Sequence, residues 1–263
     1  MEAYFTGNIY RTDGDRRNLI DKLFLNTRWY FVYGYGREVI WGRNLAVKDE
    51  YDSEKWAASS HRIFQDIEKS GGRVFLDGLD NISKPEGPVV FVSNHMSTLE
   101  TFVFPCIIVP HKDMTYVVKD SLVSMPLFGH IMRSRNPIVV SRKNSKQDLL
   151  NVLSQGKEIL ASGRSIVIFP EGSRQKEFNP EKFNSLGIKL AKEAGVPVIP
   201  VAIKTDFWGN GKIIKDIGPV RRNEPICMSF GEPIYITGAG KAEHKQVVDF
   251  ISRKVEEFKT VKI

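Results

Sequence analysis

Cysteine is nearly missing. Two residues in 263, Cys106 and Cys227, both set in apolar runs, are too few for a disulfide framework or a thiolate metal centre and read as buried thiols in a reducing compartment. Long apolar runs are missing too: the longest, Phe102 to Val109, is interrupted by Pro105 and falls far short of the ~20 residues of a spanning helix. No transmembrane helix is expected. The opening residues, Met1-Glu2-Ala3-Tyr4-Phe5, lack the basic start and apolar core of a secretory signal. No paired Cys/His spacing marks a zinc finger, no aromatic signature marks an RNA-recognition sheet, and no His, Cys and carboxylate cluster has ligand spacing. Neither nucleic acid nor a metal is therefore expected. There is no Gly-x-Ser-x-Gly elbow to present a serine nucleophile, and no repeat or low-complexity linker.

What is present is an ordinary globular composition, 41% hydrophobic and 26% charged, with a net charge of +7 and a pI near 9.3. That excess suits an anionic partner. Its densest expression is the segment from Arg16 to Arg43, with six basic and two acidic residues among Trp29, Tyr30, Phe31, Tyr33, Tyr35 and Trp41. Cations mixed with amphipathic rings suit a bilayer interface, and equally a helix packing its rings on its own domain. Apolar spacing at Leu19, Ile20, Leu23 and Phe24 predicts a helix from Arg16 to Thr27 that continues to Tyr33 and stops at Gly34. A second helix, capped by Asp52 or Ser53, runs to about Lys69 before Gly71-Gly72.

From there the pattern alternates. Strands are expected at Arg73–Ile82 (with a turn at Asp77-Gly78), Gly87–Ser93, Thr115–Lys119, Pro137–Arg142, Ser165–Phe169, Val196–Ala202 and Ile226–Phe230. Helices are expected at Thr101–Val109, Ser121–Met132, from Asn144 or Ser145 to Gly163 with Leu149, Leu150, Leu153, Ile159 and Leu160 inward, Glu181–Ala194, and Glu243–Phe258. The fold class is α/β, a mostly parallel central sheet flanked by helices. The division is a helical, membrane-interface candidate over residues 1–70 and an α/β domain over 71–263.

One stretch concentrates chemistry. Asn94-His95-Met96-Ser97-Thr98-Leu99-Glu100 sits where a buried strand stops and a helix starts, the position from which α/β folds present functional side chains. If Glu100 folds back onto one ring nitrogen of His95, it fixes the tautomer and leaves the other nitrogen as a general base. Ser97 and Glu100 also have capping-box spacing, so Glu100 could equally be only a cap.

Four ordered blocks resemble the glycerophospholipid acyltransferase family. They are Asn94-His95 with Glu100; Lys119, Pro126, Gly129 and Ile138-Val139-Val140-Ser141-Arg142; Phe169-Pro170-Glu171-Gly172-Ser173-Arg174; and Val196-Pro197-Val198-Ile199-Pro200. The resemblance implies that His95, held by Glu100, deprotonates the free hydroxyl of a lysophospholipid acceptor, 1-acylglycerol-3-phosphate in the leading case. That oxygen then attacks the thioester of acyl-CoA or acyl-carrier protein, a co-substrate rather than a bound cofactor. Arg174 and Arg142 would hold the acceptor phosphate, with Lys119 a weaker candidate. Glu171 would orient the glycerol hydroxyls beside Ser173, and Gly172 would let backbone approach the ligand. A backbone amide at the helix start after His95 is the expected oxyanion donor. The implied setting is peripheral, at the cytoplasmic face of an anionic membrane. Two departures stand out: the family's aspartate is Glu100, one methylene longer, and Ser141 stands where an acid often precedes the arginine. They point to an altered acceptor, such as an amino-acid-based lysolipid, or to a silent lipid-binding homologue, as the competing readings.

Overall fold

The computed structural model describes residues 1–25, 27–211 and 217–261. The sheet has strands β1 (Ile9–Arg11), β2 (Val74–Asp77), β3 (Val90–Ser93), β4 (Met114–Lys119), β5 (Ile138–Val140), β6 (Ser165–Ile168), β7 (Val198–Lys204) and β8 (Ile226–Phe230), in the order β1-β2-β8-β7-β3-β6-β4-β5. Pairings among β3, β4, β5, β6 and β7 are all parallel, as is β2 with β8. Only β1 with β2 and β7 with β8 run antiparallel. The expected α/β sandwich is therefore what forms. Every residue of β3 and β6 is buried, which is why these strands read as unbroken apolar runs.

The helices are α1 (Leu19–Leu23), α2 (Trp29–Ala46), α3 (Ser53–Lys69), α4 (Asp80–Ser83), α5 (Leu99–Ile108), α6 (Asp120–Val123), α7 (Phe128–Ser134), α8 (Ser145–Ala161), α9 (Leu186–Ala194) and α10 (Lys241–Thr260). One face of the sheet packs on α2, α3, α5 and α7, with Phe31, Ile63, Phe104 and Ile131 in that layer. The other packs on α8, α9 and α10 through Val152, Leu190 and Ile251. Local chemistry sets the ends as expected: Asp52 accepts from the Lys55 amide at 2.8 Å, Asn144 from the Gln147 amide at 3.1 Å, and Gly195 closes α9 at φ +67°.

Several expectations shift. The helix predicted to stop at Gly34 starts at Trp29 and passes through it. Gly34 is a contact residue, since a Cβ there would lie 2.2 Å from Asp66 Oδ2 on α3. Among the described residues ahead of it only Leu19–Leu23 is helical, and Leu25 takes φ +52°. Strand β1, unexpected from sequence, adds residues 9–11 to the sheet edge. The stretch 73–82 splits into β2 and α4 around Gly78, at φ +74°, where a Cβ would sit 2.0 Å from the Phe230 carbonyl. The helix expected over 121–132 is two short helices, and that over 181–194 is a 3₁₀ turn at Pro180–Lys182 followed by α9. Leu150, expected inward, is 52% exposed; Leu160 faces the core as expected, and Val152, which was not expected there, joins it.

Candidate active site

Because β3, β4, β5, β6 and β7 are parallel, their carboxyl ends share one edge. His95 follows β3, Lys119 ends β4, Arg142 follows β5, Phe169 to Arg174 follows β6, and Thr205 follows β7. Asn94 ties the first of these ends to the last: its side chain donates to the Ile203 carbonyl at 3.0 Å and accepts from the Ile203 amide at 2.8 Å.

His95 Nδ1 lies 2.8 Å from Glu100 Oε1. Glu100 has no solvent exposure. Its Oε1 also accepts from the amides of Met96 (2.8 Å) and Ser97 (2.9 Å), and its Oε2 accepts from the hydroxyls of Thr205 (2.7 Å) and Ser97 (2.9 Å). Tether and cap are thus not alternatives: one carboxylate does both. Burial pushes the Glu100 carboxyl up, but hydrogen bonding and attraction from His95, joined by Thr205, outweigh it and hold it below its ordinary value. An ionised Glu100 fixes the ring proton on Nδ1 and leaves the Nε2 lone pair for chemistry. The Phe169 ring stacks on the imidazole, centroids 4.3 Å apart.

Residues 94–97 precede the helix without regular structure, so the Glu100 carboxylate meets both His95 and the chain's own amides. The Met96 and Ser97 amides are thereby committed to Glu100.

His95 opens on a cavity of about 500 Å³, also lined by Lys119, Arg142, Gly172 and Arg174. The structure thus gathers most of the anticipated residues at one site. Arg174 Nη1 donates to Thr98 Oγ1 at 2.7 Å and to Asn210 Oδ1 at 2.9 Å, which ties its loop to the start of α5. Arg142 sits at φ +59°, its amide bonded to Asp148 Oδ2 at 2.6 Å, so a left-handed turn swings it out of β5. Glu171 and Ser173 are not among the lining residues. Glu171 Oε2 accepts from the His95 amide at 2.8 Å and so supports the His95 loop. Burial raises its carboxyl pKa, opposed by that bond. Ser173 is exposed and accepts from Gln175 Nε2 at 2.9 Å. Among the described residues no three His, Cys, Asp or Glu side chains gather where they could hold a metal ion.

Sequence reasoning missed Thr205 and Thr98. Thr205's only signal is its place, a hydroxyl directly after the last residue of β7. Thr98 lies inside the His95 stretch but bonds a residue 76 positions away.

A family model described as Acyltransferase matches residues 73–204, half of the chain. The chain belongs to the acyltransferase family. The matched stretch holds β2 to β7 and every site residue named above except Thr205 and Asn210. The chain is 38% identical over 140 residues to a 1-acyl-sn-glycerol-3-phosphate acyltransferase of Pseudomonas aeruginosa, covering 53% of this chain and 52% of that protein. A lyso-ornithine lipid O-acyltransferase of the same organism is 26% identical over 171 residues, 60% of this chain and 64% of that protein. The chain spans about half the length of the first of these relatives, and less of several others. The crystal structure of a 1-acyl-sn-glycerophosphate acyltransferase from Thermotoga maritima covers 93% of this chain and 98% of that one, with a TM-score of 0.69 at 19% identity. At that identity the likeness shows that this acyltransferase shares its fold.

Proposed function

We propose that this acyltransferase moves a fatty acyl group from a thioester donor, acyl-CoA or acyl-carrier protein, to the free hydroxyl of 1-acylglycerol-3-phosphate, giving phosphatidic acid. The observation that carries the reading is the His95–Glu100 pair, 2.8 Å apart, opening on a cavity that Arg142, Arg174 and Lys119 also line. His95 Nε2 takes the hydroxyl proton as the oxygen bonds to the thioester carbon. The tetrahedral species then expels the thiolate, which recovers that proton from the imidazolium. Glu100 keeps the tautomer and stabilises the transient positive ring. The guanidinium groups match phosphate oxygens as rigid forks and hold the acceptor so that its hydroxyl meets the base.

A membrane surface as the source of that acceptor is supported by α1 and the start of α2. There Leu19 (74% exposed), Leu23 (78%), Leu25 (84%) and Trp29 (53%) project outward beside Lys22 and Arg28. Apolar groups exposed together suit insertion at headgroup level, and neighbouring cations suit anionic lipid. No helix among the described residues is long and apolar enough to cross a membrane.

The test is transfer of labelled acyl groups from acyl-CoA and from acyl-carrier protein to a panel containing 1-acylglycerol-3-phosphate, neutral lysolipids and lyso-ornithine lipid. Preference for the first acceptor is the expected result. Preference for another lysolipid would move the acceptor assignment, and transfer to none would overturn the enzymatic reading.

A further inference from the structure

Helix α1 is turned inside out. Its one buried side chain is Asp21, which has no solvent exposure, while Leu19, Ile20 and Leu23 are all more than half exposed. The side chains of α1 therefore hold it to the domain through charge and not through apolar packing. Asp21 Oδ2 accepts from Arg17 Nε at 2.6 Å, and Oδ1 accepts from Arg222 Nη2 at 2.8 Å. A carboxylate taken fully out of water needs such partners, since losing one leaves buried charge uncompensated. The Arg222 guanidinium joins three segments at once: Nη2 also donates to the Thr27 carbonyl at 2.8 Å, and Nε donates to the Ser70 carbonyl, just past α3, at 2.9 Å. A planar fork with bonds in several directions is fixed in angle as well as in place.

Arg222 belongs to the connection from β7 to β8, whose described arms, residues 205–211 and 217–225, pair with each other. Trp208 and Val220 form an antiparallel bridge, the Arg221 amide donates to the Phe207 carbonyl at 2.7 Å, and the Gly209 amide donates to the Pro219 carbonyl at 2.9 Å. The first arm starts at Thr205, bonded to Glu100, and reaches Asn210, bonded to Arg174. These two residues are held differently. Thr205 directly follows β7 and is placed by the sheet. Asn210 lies beyond the bridge. Trp208 packs on Phe31 and Tyr35 of α2 at 4.9 and 5.1 Å, which sets the depth of the arm, but ring contacts fix no hydrogen-bond direction at Asn210. The second arm does: a Cβ on Gly218 would lie 1.6 Å from the Gly209 oxygen and 2.7 Å from the Asn210 carbonyl carbon. Residues 218–221, directly before Arg222, are the surface on which Asn210 rests.

We propose, on the acceptor reading above, that Arg222 is a positioning residue for the acceptor: clamped between α1 and the end of α3, it fixes the arm pair that carries Asn210 and thereby the guanidinium of Arg174 at the cavity. Arg222 touches no substrate. Its effect falls on the grip of the acceptor phosphate, because Asn210 is the member of the first arm that depends on the second, and a small misplacement of a binding group is enough to weaken it. The effect spares the base, because Thr205 and Glu100 keep their bond through the sheet. Asp21 is the other end of the same clamp, so the seat of α1 and the hold on the acceptor are one mechanical unit.

The test uses the full chain with Arg222→Gln and Asp21→Asn, which open the clamp from either end, and Arg222→Lys, which keeps a cation toward Asp21 but loses the fork. Circular dichroism and melting temperature check folding; should Arg222→Gln not fold, Arg222→Lys carries the same reading at smaller size. Binding is titrated by calorimetry with 1-O-hexylpropanediol 3-phosphate, which has the acceptor's phosphate and no hydroxyl to acylate, and steady-state kinetics are measured beside it. The expected result is probe affinity weaker and lysolipid KM higher by at least fivefold in Arg222→Gln and Asp21→Asn, with kcat and the donor KM within twofold of wild type, and a smaller change in Arg222→Lys. Combining Arg222→Gln with Arg174→Lys should weaken the probe no further than Arg174→Lys alone, since both act on one guanidinium. Unchanged probe affinity, no probe binding by the wild type, a loss shared by the donor KM, a fall in kcat alone, or additive losses in the double variant would each overturn the assignment. Weaker probe binding by the variants of a protein whose wild type acylates no lysolipid would keep the positioning role and remove the acyl-transfer reading; acyl transfer with probe affinity unaltered would do the reverse.

Discussion

Thr205 Oγ1 donates to Glu100 Oε2 at 2.7 Å, from the loop after β7 to a carboxylate with no solvent exposure. Hydrogen bonds to buried charged groups are worth about 1.5–3 kcal/mol, and this one holds the acid that orients His95. Thr205→Val keeps the shape and removes the donor. Steady-state kinetics should show kcat reduced roughly tenfold with the lysolipid KM little changed, and Thr205→Ser should restore most of it. His95→Ala, which removes the base itself, should cost about 10²- to 10⁴-fold. A Thr205→Val enzyme with wild-type kcat would show that Glu100 keeps its place without this bond.

The depressed Glu100 carboxyl carries a pH signature. Burial works to raise its pKa, but the bonds and attraction from His95 and Thr205 lower it on balance, so the ionised form stabilises the fold above the ordinary carboxylate range. That contribution is lost as pH falls through the lower folded-state value. Glu100→Gln lacks it at every pH. At neutral pH the variant should be less stable by about 1.5–3 kcal/mol, since charge-assisted bonds to two amides and two hydroxyls are weakened. The gap in melting temperature should narrow as pH is lowered from 7 toward 3. A constant gap over that range would separate Glu100 from the acid response.

What was legible in the sequence follows from what each signal needs. The runs Val90-Phe91-Val92 and Ile166-Val167-Ile168 are buried on both faces, so their strands needed no partner to be seen. His95 and Glu100 were legible because their contact spans five residues. Thr98 with Arg174 and Thr205 with Glu100 join residues 76 and 105 positions apart, and no local pattern marks such pairs. Gly34 misled for the converse reason: it reads as a helix stop but is small because Asp66 of the facing helix needs the space. Strand β1, at three residues with alternating exposure, is too short to signal its pairing. The bond of Glu171 to the His95 amide carried no signal either, since a backbone amide is what any residue would offer.

The outward face of α1 and α2 makes a separable prediction. Deleting residues 16–43 would remove Phe31, which is fully buried and packs edge-on against Trp208 at 4.9 Å, so the fold would suffer with the membrane contact. Substituting Leu19, Leu23 and Trp29 together by Ser spares the core, because all three are more than half exposed. Burying one large apolar side chain contributes about 1.5–3 kcal/mol, so co-sedimentation with anionic vesicles should fall by roughly tenfold or more while the melting temperature holds. Unchanged sedimentation would place the membrane contact elsewhere.

Arg174 is held by Thr98 at 2.7 Å and Asn210 at 2.9 Å, both through Nη1, so its loop is braced against the first turn after His95. A guanidinium offers a phosphate a planar fork, whereas an ammonium on a flexible stem offers a point charge and no second parallel bond. Arg174→Lys should therefore raise the KM for a phosphate-bearing lysolipid at least tenfold and leave the KM for the acyl donor near wild type. Thr98→Val, which removes one brace but no charge, should give a smaller rise of the same kind. If both variants instead lowered kcat with the lysolipid KM unchanged, Arg174 would be acting through the His95 loop, and the acceptor phosphate would have to be held by Arg142 and Lys119 across the cavity.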